Sequence, residues 1–253
     1  MTLKSYRLDA AALFSVLTTM TSFAIAAEYP ATLDWSGRVN LTLPVSGVLD
    51  TVVAQAGQVV KKGELLASLE PTVFKAAVAE VRADLDRLTE EQLDARRDLD
   101  RVQELYARTV ASTTELDATK LRYARASALL AATQARLERA RRQLADSELR
   151  APFDALILQR HGEPGLVISS QCQPAAVFTV ARADELIALV ALTSEQAAAV
   201  RLPGNAKVVI GDRVLNAELR ALSVDAAMRY SLELSLPRTP GLLPGKMLQV
   251  RLP

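Results

Sequence analysis

Apolar residues recur every three or four positions through a long central part of the chain. Two series have this spacing and together cover most of 72–150. They are Val78, Val81, Leu85, Leu88, Gln92, Ala95, Leu99, Val102 and Tyr106, then Leu116, Thr119, Tyr123, Ala126, Leu130, Thr133, Leu137, Ala140 and Leu144. A sustained 3,4 spacing predicts amphipathic helices that pair along one stripe, as in a coiled coil.

Residues that interrupt helices are missing from the same region of the sequence. There is no proline between Pro71 and Pro152 and no glycine between Gly63 and Gly162. The weakest helix-forming stretch is 110–114, which is rich in β-branched and hydroxyl residues. We therefore predict an antiparallel α-helical coiled-coil hairpin over 71–150 that turns at this stretch, with arms about 50 Å long.

The ends and charges of the two arms add detail to this hairpin. Thr114 is expected to cap the second arm, with Asp117 at the third helical position. Residues 72–111 contain 7 basic and 9 acidic side chains, whereas 112–150 contain 8 basic and 5 acidic ones. Opposite net charges favour antiparallel pairing of the arms, although each exposed ion pair contributes little.

The segments on either side of the predicted hairpin resemble each other at a constant offset of 108 residues. The segment 44–49 corresponds to 152–157, and Gly57 corresponds to Gly165. We interpret 44–70 and 151–180 as two halves of one lipoyl-like (barrel-sandwich hybrid) β-domain, split by the hairpin. Glycine supplies the positive φ that tight turns need, and structural turns are predicted at Gly47, Gly57, Gly63, Gly165 and Gly245.

The remaining segments alternate between apolar and polar residues. Leu232, Leu234 and Leu236 are separated by polar residues, and Leu248 and Val250 continue the pattern. Such short strands between glycine and proline turns predict a small antiparallel β-barrel, formed by 28–43 and 181–253. A short helix is expected at 194–200. The chain is thus predicted to be an α+β protein.

Composition excludes several functional classes. With 30 Lys and Arg against 29 Asp and Glu, the chain lacks the excess of positive charge typical of nucleic-acid binding. Cys172 is the only cysteine and His161 the only histidine. These two residues cannot form a disulfide or a zinc site, and no catalytic triad is evident. We predict no enzymatic activity, cofactor or metal, with Cys172 as a small buried residue and His161 as a turn residue.

The N-terminal residues have the pattern of an export signal. Lys4 and Arg7 precede an uncharged stretch over 10–27 that ends near Ala24-Ile25-Ala26, a small-x-small cleavage site. We predict a signal peptide over 1–27 and an exported mature protein. An uncleaved N-terminal anchor is the alternative.

Five motifs, taken in order, resemble the periplasmic adaptor, or membrane fusion protein, family of Gram-negative efflux and secretion systems. The motifs are PVSG at 44–47, GQVVKKGELL at 57–66, LRAPFD at 149–154, SVD at 223–225 and LPGKM at 243–247. The resemblance implies a periplasmic subunit that joins an inner-membrane transporter to a TolC-type outer-membrane channel. It also implies self-association into a ring, either a trimer or a hexamer.

Adaptors of this family that dock TolC-type channels often carry Arg-x3-Leu-x6-Ser at the hairpin tip. Arg101, Leu105 and Ser112 have this spacing, so the resemblance implies that they bind the channel. By analogy, a transporter of the resistance-nodulation-division (RND) type is favoured. An ABC-type or secretion exporter and a non-transport periplasmic scaffold are alternatives. A lipoyl or biotinyl carrier is disfavoured, because Lys75 begins a helix rather than lying in a tight turn.

Overall fold

A computed structural model describes residues 28–170, 175–211 and 213–252. The predicted signal peptide and Cys172 lie outside these ranges. The described strands are β1 Glu28–Trp35, β2 Val39–Leu41, β3 Gly47–Val52, β4 Val59–Val60, β5 Leu65–Leu69, β6 Glu148–Arg150, β7 Ala155–Arg160, β8 Val167–Ile168, β9 Phe178–Arg182, β10 Glu185–Leu192, β11 Gly204–Ile210, β12 Arg213–Val224, β13 Tyr230–Pro237 and β14 Met247–Arg251. The described helices are α1 Thr72–Ala107, α2 Thr113–Asp146 and α3 Ser194–Ala199.

Six strands close into an antiparallel barrel in the order β1-β10-β13-β12-β11-β14. Leu232, Leu234 and Leu236 of β13 are fully buried in its core, whereas the polar residues between them are partly exposed. The short helix α3 begins with a capping box at Thr193 and packs Ala197 against the same core. The barrel predicted from the alternating pattern is confirmed.

Two four-stranded sheets, β2-β9-β7-β4 and β6-β5-β3-β8, form a sandwich beside the barrel. Their shared core is built from residues on both sides of the long helices. Leu49, Leu66 and Leu69 come from the first half, and Ile157 and Phe178 come from the second. All five side chains are fully buried. The sandwich therefore exists only when both halves meet.

The 108-residue repeat corresponds to reciprocal hydrogen bonds between the two halves. The backbone N–H of Gly57 donates to the carbonyl of Ile157 at 2.8 Å, and the N–H of Gly165 donates to the carbonyl of Leu49 at 2.7 Å. The two donors and the two acceptors are each 108 positions apart. Gly57 has φ +86° and Gly165 has φ +91°, backbone conformations that glycine adopts without steric penalty. Each half thus fixes the turn of the other.

Two segments belong to different units from those predicted. Residues 39–41, assigned to the barrel from the sequence, form β2 and pair with β9 in the sandwich. The chain leaves the barrel just before them, because Gly37 turns it with φ +59°. Residues 148–150, assigned to the hairpin, form β6 and pair with β5. The helix ends first because Ser147 is its C-cap.

The prediction of a turn at Gly47 is wrong. Gly47 begins strand β3, and its φ is not in the left-handed region. A Cβ atom at this position would lie 3.0 Å from Cδ1 of Leu69, so close packing explains the glycine. Gly63 and Gly245 do lie in turns with left-handed φ.

The helices α1 and α2 are joined by a short turn and pack against each other. Their buried residues all belong to the two 3,4-spaced series: Leu88, Ala95, Leu99 and Val102 on α1, and Ala126, Thr133, Leu137 and Ala140 on α2. Tyr106, the last member of the first series, is exposed. Within the described ranges, no helix combines the length and apolar character that crossing a bilayer requires.

The carboxylate of Glu185 lies where the barrel meets the sandwich. Glu185 accepts a hydrogen bond from Ser36 Oγ at 2.8 Å and another from Ser235 Oγ. The guanidinium groups of Arg182 and Arg220 lie 3.3 and 3.4 Å from its Oε2 atom. Because Arg182 ends β9 of the sandwich and Glu185 begins β10 of the barrel, this cluster ties the two units together.

The ionisation of Glu185 makes the cluster sensitive to pH. Partial burial raises the pKa of Glu185, but hydrogen bonds from Ser235 and Ser36 and the charges of Arg220 and Arg182 outweigh it, so the pKa is lowered overall. A glutamate whose folded pKa is lowered stabilises the fold above its ordinary pKa of about 4.3. That stabilisation is lost as the pH falls through the lowered folded pKa.

We expect Glu185→Gln to lower the free energy of unfolding at pH 7 by about 1–2 kcal/mol, because two serines and two arginines lose a charged partner. The difference between the variant and the original chain should shrink as the carboxylate protonates in acid. Urea unfolding at several pH values measures it. Glu218→Gln is the matched control, since Glu218 is an exposed residue of the same barrel. An equal, pH-independent effect of both substitutions would contradict the role given to Glu185.

Candidate docking site at the helical turn

The far end of the helix pair is held in register by one arginine. Arg122 of α2 lies 2.9 Å from Asp98 and 3.4 Å from Asp94 of α1. The guanidinium of Arg96 lies 5.4 Å from the centre of the Tyr123 ring, in the geometry of a cation–π contact. These groups are largely exposed, so they select the pairing of the helices more than they stabilise it.

The first helix ends in a Schellman motif built without glycine. The N–H of Thr109 donates to the carbonyl of Tyr106, and the N–H of Val110 donates to the carbonyl of Leu105, both at 2.9 Å. This pattern requires a left-handed residue just after the helix, and Thr109 has φ +57°. A β-branched residue with this φ is strained, because its side chain crowds the backbone.

The second helix begins at Ser112, which is its N-cap. The Ser112 hydroxyl accepts a hydrogen bond from the backbone N–H of Glu115 at 3.1 Å, and its own backbone is extended. The prediction that Thr114 caps this helix is wrong, because the helix already begins at Thr113. Glu115 lies in the first turn, where a negative charge interacts favourably with the helix dipole.

The structure brings only part of the predicted docking triple together. Leu105 and Ser112 lie at the same turn, since Leu105 provides the carbonyl that closes α1 and Ser112 begins α2. Arg101 lies four residues before Leu105, about 6 Å along the helix. Its guanidinium pairs with Asp98 and is exposed. The turn predicted at 110–114 includes Val110, but the left-handed backbone of Thr109, one residue earlier, was not predicted.

Replacing the strained residue with glycine tests the geometry of the turn. We expect Thr109→Gly to raise the free energy of unfolding by about 0.5–1 kcal/mol. Glycine removes the steric penalty of the left-handed backbone, and this gain outweighs the extra freedom that glycine has in the unfolded chain. Thermal unfolding followed by circular dichroism measures the change. Thr113→Gly is the control, since Thr113 is helical, and glycine should destabilise there. A loss of stability in Thr109→Gly would show that the turn is not left-handed.

His161 and Lys61 both make polar contacts within the sandwich. His161 Nε2 lies 3.0 Å from Thr179 Oγ1, which in turn donates to Asn40 Oδ1 at 2.8 Å. Lys61 pairs with Asp154 at 2.9 Å across the two halves of the sandwich. In the part of the chain that the structure describes, no group of His, Cys, Asp and Glu side chains could hold a metal ion.

A sandwich split by a long helix pair, with a six-stranded barrel beside it, is the architecture expected of periplasmic adaptors, also called membrane fusion proteins. The family model described as a CzcB-like, barrel-sandwich hybrid domain matches residues 38–182. This match covers more than half of the chain and begins just before β2. The chain therefore belongs to this adaptor family, whose members are structural linkers rather than enzymes.

Curated relatives include multidrug resistance protein MdtA from strains of Escherichia coli. The protein from strain UMN026 is 30% identical over 164 residues, which cover 60% of this chain and 40% of the relative. The protein from strain IAI39 is 33% identical over 139 residues, which cover 55% and 34% of the two chains. The matched region thus spans less than half of these relatives.

Solved structures of membrane fusion proteins share the fold. A MacA–MexA chimera that contains the Pseudomonas aeruginosa MexA α-hairpin has a TM-score of 0.69 at 20% identity, over 88% of this chain and 79% of the chimera. Spr0693 from Streptococcus pneumoniae R6 also has a TM-score of 0.69, at 12% identity, over 88% and 97% of the two chains. At these identities, the likeness shows the architecture.

Proposed function

We propose that this chain is the adaptor subunit of a tripartite efflux pump. It would join an inner-membrane transporter, with the RND type favoured, to a TolC-type outer-membrane channel. The observation that carries the proposal is the placement of the turn. The helices α1 and α2, of 36 and 34 residues, pack against each other and would form a hairpin with arms about 50 Å long, its turn at the end remote from both β-units. The multidrug resistance named in the relatives supports efflux as the purpose.

The tip of this hairpin would dock the channel through Arg101, Leu105 and Ser112. Arg101 presents several N–H donors in a fixed plane, which suits carbonyl or carboxylate oxygens on a partner. Its only ion-pair partner among the described residues is Asp98, one turn back on the same helix. The guanidinium therefore remains open to solvent on its outer side. Leu105 and Ser112 lie at the turn beyond it.

Self-association into a ring of three or six copies would arrange the hairpins side by side. Arg125, Leu129, Arg136 and Arg139 lie along one side of α2 and are all exposed. Within the described ranges, none of the three arginines forms an ion pair, and no acidic residue interrupts this stripe. The net negative charge of 72–111 makes α1 of a neighbouring copy a complementary partner.

The adaptor would work in the periplasm, peripheral to the inner membrane. The support is the export pattern at 1–27 and the periplasmic adaptor family to which the chain belongs. We propose that 1–27 is cleaved as a signal peptide. N-terminal sequencing of the mature protein tests this, and a protein that retains Lys4 and Arg7 would contradict cleavage.

Affinity capture of the tagged full chain from its native host, after mild chemical cross-linking, tests the proposed function. We expect an RND transporter and an outer-membrane channel to be recovered together. Recovery of an ABC exporter with the channel would correct the transporter class and keep the adaptor role. Recovery of no membrane protein, from cells that export normally, would overturn the proposal. A variant without 72–146 is the control, since it should lose the channel and keep the transporter.

A further inference from the structure

A cavity of about 680 Å³ lies at the base of the helix pair, where three parts of the chain meet. It is lined by the start of β3, the beginning of α1 and the residues just before β8. The N–H of Glu70 donates to the carbonyl of Val48 at 2.9 Å, and the N–H of Gly165 donates to the carbonyl of Leu49 at 2.7 Å. Because these bonds hold the three parts together, the fold itself forms the cavity.

Most of the side chains around this cavity are apolar. Leu49 is fully buried, and Phe74 packs against the sandwich core. Val48 and Val73 also line the cavity and remain 46% and 71% exposed. A volume within about 300–1,000 Å³ and a mainly apolar lining are typical of sites for small organic molecules. The cavity therefore has the size and the surface of such a site.

The two charged residues that line the cavity are both acidic. Asp50 belongs to β3, and Glu70 lies just before α1. Among the described residues, no Lys, Arg or His nitrogen lies within ion-pair distance of either carboxylate. Hydrogen bonds from Thr72 and, to a smaller extent, the charge of Lys75 lower the pKa of Glu70. Glu70 is therefore negatively charged at neutral pH.

The charge of the cavity wall selects the kind of ligand that fits. Lys75 acts on Glu70 through its charge, but it is exposed and does not line the cavity. Two carboxylates within the lining and one ammonium outside it leave the site net negative. An apolar cavity with this charge is complementary to a cation that carries apolar groups.

We infer that this cavity binds an organic cation whose charge lies on an apolar body. The positive charge would lie beside Asp50 and Glu70, and the apolar groups would cover Val48, Val73 and Phe74. A small molecule is favoured over a protein segment, since ten lining residues are fewer than the roughly 20–30 that each side of a stable protein interface contributes. The site goes beyond the proposed adaptor function and lies at the opposite end of α1 from the turn, so its failure would leave that function standing.

Two ions of the same shape and opposite charge test the inference. We expect tetraphenylphosphonium to bind the purified full chain about tenfold or more tightly than tetraphenylborate, because the carboxylates attract the first ion and repel the second. Equilibrium dialysis measures both affinities. Equal affinity for the two ions, or no saturable binding of tetraphenylphosphonium up to about 1 mM, would overturn the inference.

Substitution of the charged residues locates the bound ion. Asp50→Asn and Glu70→Gln should each weaken tetraphenylphosphonium binding about two- to fivefold, the range for exposed ion pairs. Lys75→Gln should strengthen it, since a competing cation is removed, and a merely structural effect would not have this opposite sign. Glu90→Gln is the matched control, because Glu90 is an exposed carboxylate about 24 Å from Phe74 along α1. Unchanged affinity in both Asp50→Asn and Glu70→Gln would assign the binding elsewhere and refute the site.

The apolar wall is tested by Val73→Ala, which should weaken binding about threefold through lost apolar contact. Val110→Ala is its control, since Val110 is equally exposed, at 71%, but lies at the far turn. Equal effects of the two substitutions would contradict a ligand at the base of the helices. Circular dichroism of each variant establishes that the helices persist.

A second copy of the chain is the other occupant that the experiment can reveal. In that case, tetraphenylphosphonium affinity would fall as protein concentration rises, and sedimentation velocity would show an oligomer that Glu70→Gln dissociates. That result would overturn the ligand assignment. Affinity that is independent of protein concentration is the result we expect.

Discussion

Arg101→Asp is expected to abolish export while the protein keeps its fold. The guanidinium is exposed, and its contact is an ion pair with Asp98 on the same helix, so the substitution removes little from the folded state. Near the turn, however, it would replace a fork of donors with a carboxylate that repels carboxylate and carbonyl oxygens of the proposed channel partner. Drug susceptibility of the host and channel capture by the purified variant measure the two effects.

Arg82→Asp supplies the comparison for this substitution. Arg82 is also an exposed arginine of α1, but it lies about 28 Å nearer the sandwich along the helix. It should export normally if the position of the charge matters. Equal loss of export in both variants would show that the net charge of the hairpin, and not docking by Arg101, is responsible. Unchanged export in Arg101→Asp would remove the docking role of Arg101.

Ala126→Pro is expected to cause the second large loss, through the shape of the hairpin. Ala126 is buried in the middle of α2 against α1. Proline there removes a backbone hydrogen bond and clashes with the preceding turn, which costs a helix about 3 kcal/mol or more. A kink at this point would move the turn away from the proposed channel partner even where the β-units remain folded. Export should be lost, and far-ultraviolet circular dichroism should show reduced helix content.

The first helical position of α2 provides the control for that proline. Thr113 follows the N-cap, and its N–H has no acceptor within the helix, so Thr113→Pro should preserve helix content. Loss of helix in both variants would mean that α2 is too weak to tolerate any proline. Full export by Ala126→Pro would mean that a straight second arm is unnecessary.

The central helices and the repeated β-unit were predictable because their signals are local and periodic. The 3,4-spaced series identified every buried residue of α1 and α2, and the 108-residue offset matched Gly57 with Gly165. Such patterns survive in sequence because each repeat meets the same physical surroundings. The alternation around Leu234 predicted the barrel for the same reason.

The predictions that were wrong concern features that depend on contacts between distant parts of the chain. By their alternation alone, residues 39–41 could belong to the barrel or to the sandwich. They join the sandwich because they pair with β9, which lies far along the sequence. Gly47 has the flanking residues of a turn, but its surroundings are set by Leu69. Ser112, Thr113 and Thr114 all carry hydroxyl groups that could cap α2. Which of them does so depends on where α1 ends, through the hydrogen bonds that the carbonyl of Leu105 accepts.

The candidate site was predictable only in part. Spacing identified Arg101, Leu105 and Ser112, and two of these lie at the turn. The turn itself depends on the left-handed backbone of Thr109, after which the N–H of Val110 donates to the carbonyl of Leu105. The sequence contains no direct signal for this conformation, since glycine is the residue normally found there.

The reciprocal bonds of Gly57 and Gly165 have a consequence for how the molecule is made. The first half of the sandwich is synthesised without the carbonyl that its turn requires, and that carbonyl, at Ile157, follows only after both long helices. Helices form from local contacts, whereas pairing distant strands must overcome the entropy of closing a long loop. Once paired, the helices return the chain to its starting point, where the N–H of Leu69 meets the carbonyl of Ser147 at 2.9 Å. We therefore expect the pairing of α1 with α2 to bring the two halves of the sandwich together during folding.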